Sequence, residues 1–140
     1  MPRLSLTRQV QFAAAHRLRR PDWDDARNAE VFGICSRPSF HGHTYICDVT
    51  VSGPLDEETG FVASLVMLDA ILDTHVHVPL DHRNLNIDVP EFADGLALPS
   101  GENLARWIAG RVQAALPSPV VVTCVIVRED PTLWATWERD

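Results

Sequence analysis

Near the start of the chain, Leu4, Leu6, Val10 and Phe12 fall on one parity while Gln9 and Gln11 fall on the other. A period of two predicts a strand over 4–15 with one buried face. Residues 18–40 are rich in Pro, Asp and Arg and predict a long loop, with a helical turn over 26–32. A loop that long in a compact domain is usually functional. The segment HTYICDVTVS (43–52) is rich in β-branched and aromatic residues and predicts a second strand, opened by His41-Gly42-His43 and ended by Gly53-Pro54. Leu65, Leu68, Leu72 and His75 share one helical face, predicting a helix from about 63 to 78 that Pro79 stops, with LDHRNL (80–85) as a loop. A second helix is predicted to start near Ser100 as N-cap, with Glu102 in its first turn and Leu104, Ile108, Val112 and Ala115 as its buried stripe. Residues 120–128 and 133–137 then read as two strands joined by Glu129-Asp130-Pro131. The order ββααββ predicts an α+β fold, an antiparallel sheet with helices on one face. Such a sheet has two edges, and association of subunits would protect them.

The chain has 140 residues, which predicts one domain over 1–140. The three cysteines, Cys35, Cys47 and Cys124, show no paired spacing and predict a reducing, cytoplasmic setting. Cys47 and Cys124 lie in apolar strands and read as packed core. The N-terminus lacks the apolar run of a signal peptide, and nothing approaches the roughly 18 consecutive apolar residues of a membrane span. A net charge of −7 argues against nucleic acid as the main partner. All 12 basic residues are arginines, and Arg17, Arg19 and Arg20 cluster beside His16.

Candidate chemistry starts with the histidines. Residues two apart on a strand point the same way, so His41 and His43 can face one ion. His16 ends the first strand, where antiparallel pairing would bring it alongside. Three neutral imidazoles without a fourth protein ligand suit a catalytic zinc with an open position, and they suit iron, cobalt or nickel as well. Without that pairing, a His-x-His is two unrelated surface histidines. Cys35, in polar company before His41, is either an incidental surface thiol or a thiolate base whose pKa is lowered by arginines and a metal. Asp81 precedes His82 and can orient its ring, or simply cap a loop. His75 and His77 read as structural charges at a helix C-terminus. Glu129, at the end of an apolar strand, is either a turn acid or an acceptor for two parallel N–H donors of a heterocycle.

Taken in order, FAAAHR (12–17), CSRPSFHGHTY (35–45), LDHRNL (80–85), DVPEFAD (88–94), SGEN (100–103) and VREDP (127–131) resemble successive motifs of the 6-pyruvoyl-tetrahydropterin synthase and 6-carboxytetrahydropterin synthase family. The resemblance implies the tunnelling fold (T-fold), with a four-stranded antiparallel sheet and two helices on one face. It also implies a homohexamer built as a dimer of trimers, with active sites between subunits. It implies Zn2+ on His16, His41 and His43. Cys35, Asp81 and His82 become the proton-transfer group, with Cys35 drawn from a neighbouring subunit. Glu129 becomes the pterin anchor, with Ser100 and Glu102 lining its pocket. The implied reaction is zinc-dependent conversion of 7,8-dihydroneopterin triphosphate to 6-pyruvoyl-tetrahydropterin with loss of triphosphate, as in tetrahydrobiopterin biosynthesis. Bacterial relatives instead form 6-carboxy-5,6,7,8-tetrahydropterin for queuosine, and a non-catalytic pterin-binding protein on the same scaffold is a further alternative. The five residues between Cys35 and His41 favour the pyruvoyl-forming type. Phe40 and Gly101 depart from the family, which often has glycine at the first position and a hydroxyl at the second.

Overall fold

The computed structural model describes residues 2–93 and 96–140. Strand β1 (Ser5–His16) pairs antiparallel with β2 (His41–Ser52), which pairs with β4 (Val121–Asp130), which pairs with β5 (Leu133–Glu138). A two-residue strand, β3 (Arg83–Asn84), runs parallel to β1 against Ala14 and Ala15. The sheet is therefore five-stranded and mixed, in the order β3-β1-β2-β4-β5, and not the four-stranded antiparallel sheet expected. Two residues are too few to leave a periodic signal, so β3 was invisible in the LDHRNL segment.

One face of the sheet is apolar and covered. Phe12 and Ala14 of β1, Tyr45, Cys47, Val49 and Val51 of β2, and Val125 and Val127 of β4 are buried there. Against them lie Leu68, Leu72, Val76 and Leu80 from one helical segment and Leu104, Ile108 and Val112 from α5 (Gly101–Ala115). Each such side chain removed from water stabilises the fold by about 1.5–3 kcal/mol, so this layer is the main cohesive element. The opposite parity, with Gln9, Gln11, Thr44 and Thr50, makes an uncovered polar face. Cys47 is buried as expected, but Cys124 is only half-buried, opposite Thr50 and Glu138, and is not part of the core.

The first of those helical segments departs from expectation. α2 (Leu65–Leu72) starts after Ser64, whose hydroxyl accepts the Met67 N–H at 3.2 Å. A π-helical turn, Asp73–His77, follows, and α3 (Val78–Leu80) continues helical backbone through Pro79. Pro79 does not stop the helix, because the wider turn has already shifted the ladder and proline has no N–H to leave unpaired. The inserted residue also moves the buried stripe from His75 to Val76.

The loop expected over 18–40 contains α1 (Asp25–Phe32) and a 3-10 turn, Gly33–Ser36. Buried Asn28 organises it: its Oδ1 accepts the Arg20 N–H, and its Nδ2 donates to the carbonyls of Arg20, Trp23 and Asp24. A short helix, α4 (Leu85–Asp88), leads into the DVPEFAD segment, of which Val89 and Phe92 are buried and Asp94 lies outside the described residues.

Candidate metal centre and flanking site

The register of β1 and β2 sets His16 opposite His41, and Ala14 opposite His43. All three histidines share the parity of Phe12 and Tyr45, so they close one end of the covered layer. Their ring centroids stand 4.5, 5.2 and 5.0 Å apart. One ring nitrogen from each lies within 4.8 Å of the others. The Nε2 atoms of His16, His41 and His43 are all buried without a hydrogen-bond partner. Buried polar atoms without partners are costly, and three lone pairs turned on one point fit a divalent cation.

The chain prepares these rings to act as ligands. His16 Nδ1 lies 2.8 Å from the Pro99 carbonyl, which can only accept, so the proton sits on Nδ1 and Nε2 keeps its lone pair. Burial, reinforced by the charges of His41 and His43, lowers the His16 pKa to about 4. Burial and the His43 charge lower that of His41 as well. Both rings are therefore neutral at neutral pH.

Glu129 meets this cluster from β4. The β4–β5 register slips between Arg128 and Asp130, leaving Glu129 on a bulge, a device that re-aims a side chain. Its Oε2 lies 3.9 Å from His43 Nε2. Burial raises its pKa, the Glu102 and Asp130 charges add to this, and His43 and the Gly101 N–H oppose it. The acid thus sits beside the N-terminus of α5, whose dipole favours negative charge. At Gly101 a β-carbon would meet Ala135 Cβ at 3.3 Å and Glu129 Oε1 at 3.4 Å. Ser100, the N-cap of α5, spends its hydroxyl on the Asn103 N–H at 3.2 Å, and Glu102 is exposed in the first turn.

Cys35 is on the same side of the sheet. Its charge and that of Glu129 both reach buried Tyr45, raising the phenol pKa on top of burial. The Leu18 N–H donates to the Cys35 carbonyl at 2.8 Å, and Arg17 Nε donates to the Ser36 carbonyl at 2.7 Å. Asn86 clamps Arg17 in turn, accepting its N–H at 2.7 Å and donating to its carbonyl at 2.9 Å. The thiol is therefore tied to the residues that follow His16. In the metal-free chain burial, and then the Glu129 charge, raise its pKa, the opposite of the direction that arginines and a bound metal would give. Among the arginines after His16, Arg17 donates to the Ser36 carbonyl, Arg19 pairs with Asp25 and Arg20 with Asp22. Phe40, just before His41, has φ 63°, the left-handed region that favours glycine.

Asp81 and His82 lie elsewhere. His82 donates its N–H to the Ala13 carbonyl at 2.6 Å and adopts φ 57°, which throws its ring outward to 83% exposure. It borders a depression lined by Ala13, Ala15, Gly42 and Thr44 of the uncovered parity and by Ala14 and His43 of the covered one. Its Nδ1 lies 2.7 Å from Asp81 Oδ2, and Asp81 Oδ1 accepts the Ala13 N–H at 2.9 Å. That N–H and the His82 bond hold the Asp81 carboxyl below the usual range. One chain therefore gathers Glu129 against the three histidines and leaves His82 exposed at the rim of a depression that also reaches His43. Three contributors escaped the sequence reading: Asn86, Arg17 as a tether, and His77, which reaches Asp81. Only the position of Arg17 after FAAAH offered a signal.

These features define a class, an α+β protein with three clustered histidines able to hold a metal, flanked by a half-buried acid and a thiol. The profile described as 6-pyruvoyl tetrahydropterin synthase matches residues 5–140, and the chain belongs to that family. A 6-pyruvoyl tetrahydrobiopterin synthase of Drosophila melanogaster is 40% identical over 126 residues, covering 90% of this chain and 74% of that one. The Homo sapiens protein of the same name is 38% identical over 125 residues, covering 89% and 85%. The solved 6-pyruvoyl tetrahydropterin synthase of Caenorhabditis elegans superposes with a TM-score of 0.91 at 31% identity, covering 100% of this chain and 98% of that one. The T-fold expected from the motifs is therefore present, with β3 added at its edge.

Proposed function

We propose that this chain converts 7,8-dihydroneopterin triphosphate to 6-pyruvoyl-tetrahydropterin with elimination of triphosphate, using zinc held by His16, His41 and His43. The observation that carries the reading is the set of three unpartnered, buried Nε2 atoms with Glu129 and Cys35 beside them, in a chain about 40% identical to animal proteins of that name. Zinc would polarise the side-chain hydroxyls of the substrate and acidify the adjacent C–H bonds. Glu129 accepts the paired N–H donors of the pterin, and its burial strengthens those bonds while Gly101 keeps the carboxylate accessible. Ser100 and Glu102 shape the rim, the first by fixing the start of α5 and the second by its charge. Cys35 takes a proton from the substrate as a thiolate, which requires a nearby cation to offset the Glu129 charge. His82, with Asp81 holding its Nδ1–H, presents Nε2 for the second proton.

We read each site as shared by two chains, because Cys35 is tied to the residues after His16 whereas His82 is 83% exposed and free to meet a neighbouring subunit. The homohexamer, a dimer of trimers, supplies them. The outer edge of β5 and most of that of β1 have no strand partner among the described residues, which suits edge-to-edge association. No helix among the described residues is long and apolar enough to cross a membrane. We read the chain as a single-domain cytoplasmic enzyme. The test is incubation of the purified, zinc-loaded protein with 7,8-dihydroneopterin triphosphate, with and without chelator. Chelator-sensitive release of triphosphate and 6-pyruvoyl-tetrahydropterin is expected. Formation of 6-carboxytetrahydropterin and acetaldehyde would overturn the product assignment, and binding without turnover would overturn the enzyme.

A further inference from the structure

Asp81 faces a second imidazole that the reading above does not use. Its Oδ2, already held by His82 Nδ1 at 2.7 Å, lies 3.5 Å from His77 Nε2. The His77 ring is itself fixed, because Nδ1 lies 2.9 Å from the Gln11 carbonyl of β1. A carbonyl accepts only, so the Nδ1 proton is spent there and Nε2 is left to face the carboxylate. At 3.5 Å the contact is one of charge more than of direct hydrogen bonding. With a proton on Nε2 it is attractive; without one, a lone pair confronts an anion.

The backbone is shaped to make this contact. His77 is the last residue of the π-helical turn, in which the Val78 N–H bonds back to the Asp73 carbonyl. One extra residue in that turn changes which side chains face β1, and π-bulges are frequent at functional sites. The other charged groups lining the depression at His77 are Arg8, Asp69 and Asp73. Arg8 and Asp69 form a two-pronged ion pair at 2.8 and 3.1 Å, leaving Asp81 and Asp73 as the carboxylates able to meet the ring.

We propose that His77, when it carries a proton on both ring nitrogens, is a positioning residue: anchored on Gln11, it holds the Asp81 carboxylate so that Oδ2 stays on His82 Nδ1 and His82 Nε2 stays available for proton transfer. It touches no substrate. The inference rests on the proton-transfer role proposed for Asp81 and His82, and it can fail separately from that role.

Two substitutions each reproduce half of the imidazole. The amide of His77→Asn can replace Nδ1 at Gln11, while the longer His77→Gln can replace Nε2 at Asp81. On the zinc-loaded protein we expect His77→Asn to lower kcat about tenfold with KM unchanged, and His77→Gln to stay within about threefold of wild type. In the same samples, 15N shifts should show His82 losing its Nδ1–H tautomer preference in His77→Asn and keeping it in His77→Gln. Unchanged His82 shifts in His77→Asn, wild-type kcat in that variant, or a loss confined to KM or thermal stability would each overturn the proposal. Altered shifts in a protein whose wild type has no turnover would overturn the function and leave the contact standing.

Discussion

The main chain at Gly101 sits so close to Glu129 that a β-carbon there would stand 3.4 Å from Oε1, with Ala135 Cβ 3.3 Å away on another side. We therefore expect Gly101→Ser to displace Glu129. Steady-state kinetics should give a KM raised about tenfold with kcat less affected, as for loss of ground-state binding. Better helix propensity, by up to about 1 kcal/mol, should offset the crowding in thermal melts.

The metal-free protein should lose stability in mild acid. His16 titrates at about 4 when folded and near 6.5 when not, so the unfolded chain takes up the proton first. The contribution is complete above the unfolded value and fades as pH falls toward 4, by about 3 kcal/mol in all. Urea titrations of chelated protein between these limits test it, and His16→Asn should flatten the dependence.

Cys35→Ser is expected to lower kcat by about a hundredfold or more while leaving zinc content and pterin binding in place. Metal analysis and fluorescence titration with a dihydropterin check the second half. Retained turnover would remove the thiol from the mechanism.

A site shared between chains makes a separate prediction. Cys35→Ala and His82→Ala homo-oligomers should each be inactive. Unfolding and refolding them as an equal mixture should restore about a quarter of wild-type activity, because each site draws one residue from each of two randomly chosen chains. No recovery would place the whole site within one chain.

Asn28→Ala removes four hydrogen bonds from a buried amide. Unpaired groups of this kind cost about 1–3 kcal/mol, which denaturant midpoints should register without any change in zinc affinity.

Much of this protein was legible in one dimension. Alternation in β1 and β2, the Ser100 cap and the α5 stripe are local signals, and local rules locate them to within a residue or two. The HGH spacing alone put two imidazoles on one face. The parts that misled were those in which a distant neighbour overrode a local rule. Pro79 continues a helix because a π-helical turn precedes it, β3 exists only because β1 is there to pair with, and the Cys35 pKa is raised because the fold buries the thiol and brings Glu129 near it from β4.

By itself, the sequence determined most strands and helices, the apolar face of each, and the residue types that make up the candidate metal site. These follow from side-chain periodicity and short-range caps. The tertiary structure alone decided which groups meet. Pro99 fixes the tautomer of His16 from 83 residues away, Glu129 is turned toward His43 by a bulge, and His77 is brought to Asp81 by an irregular helical turn. Approach distances, desolvation and tautomers are properties of three-dimensional neighbours, and one-dimensional spacing does not carry them.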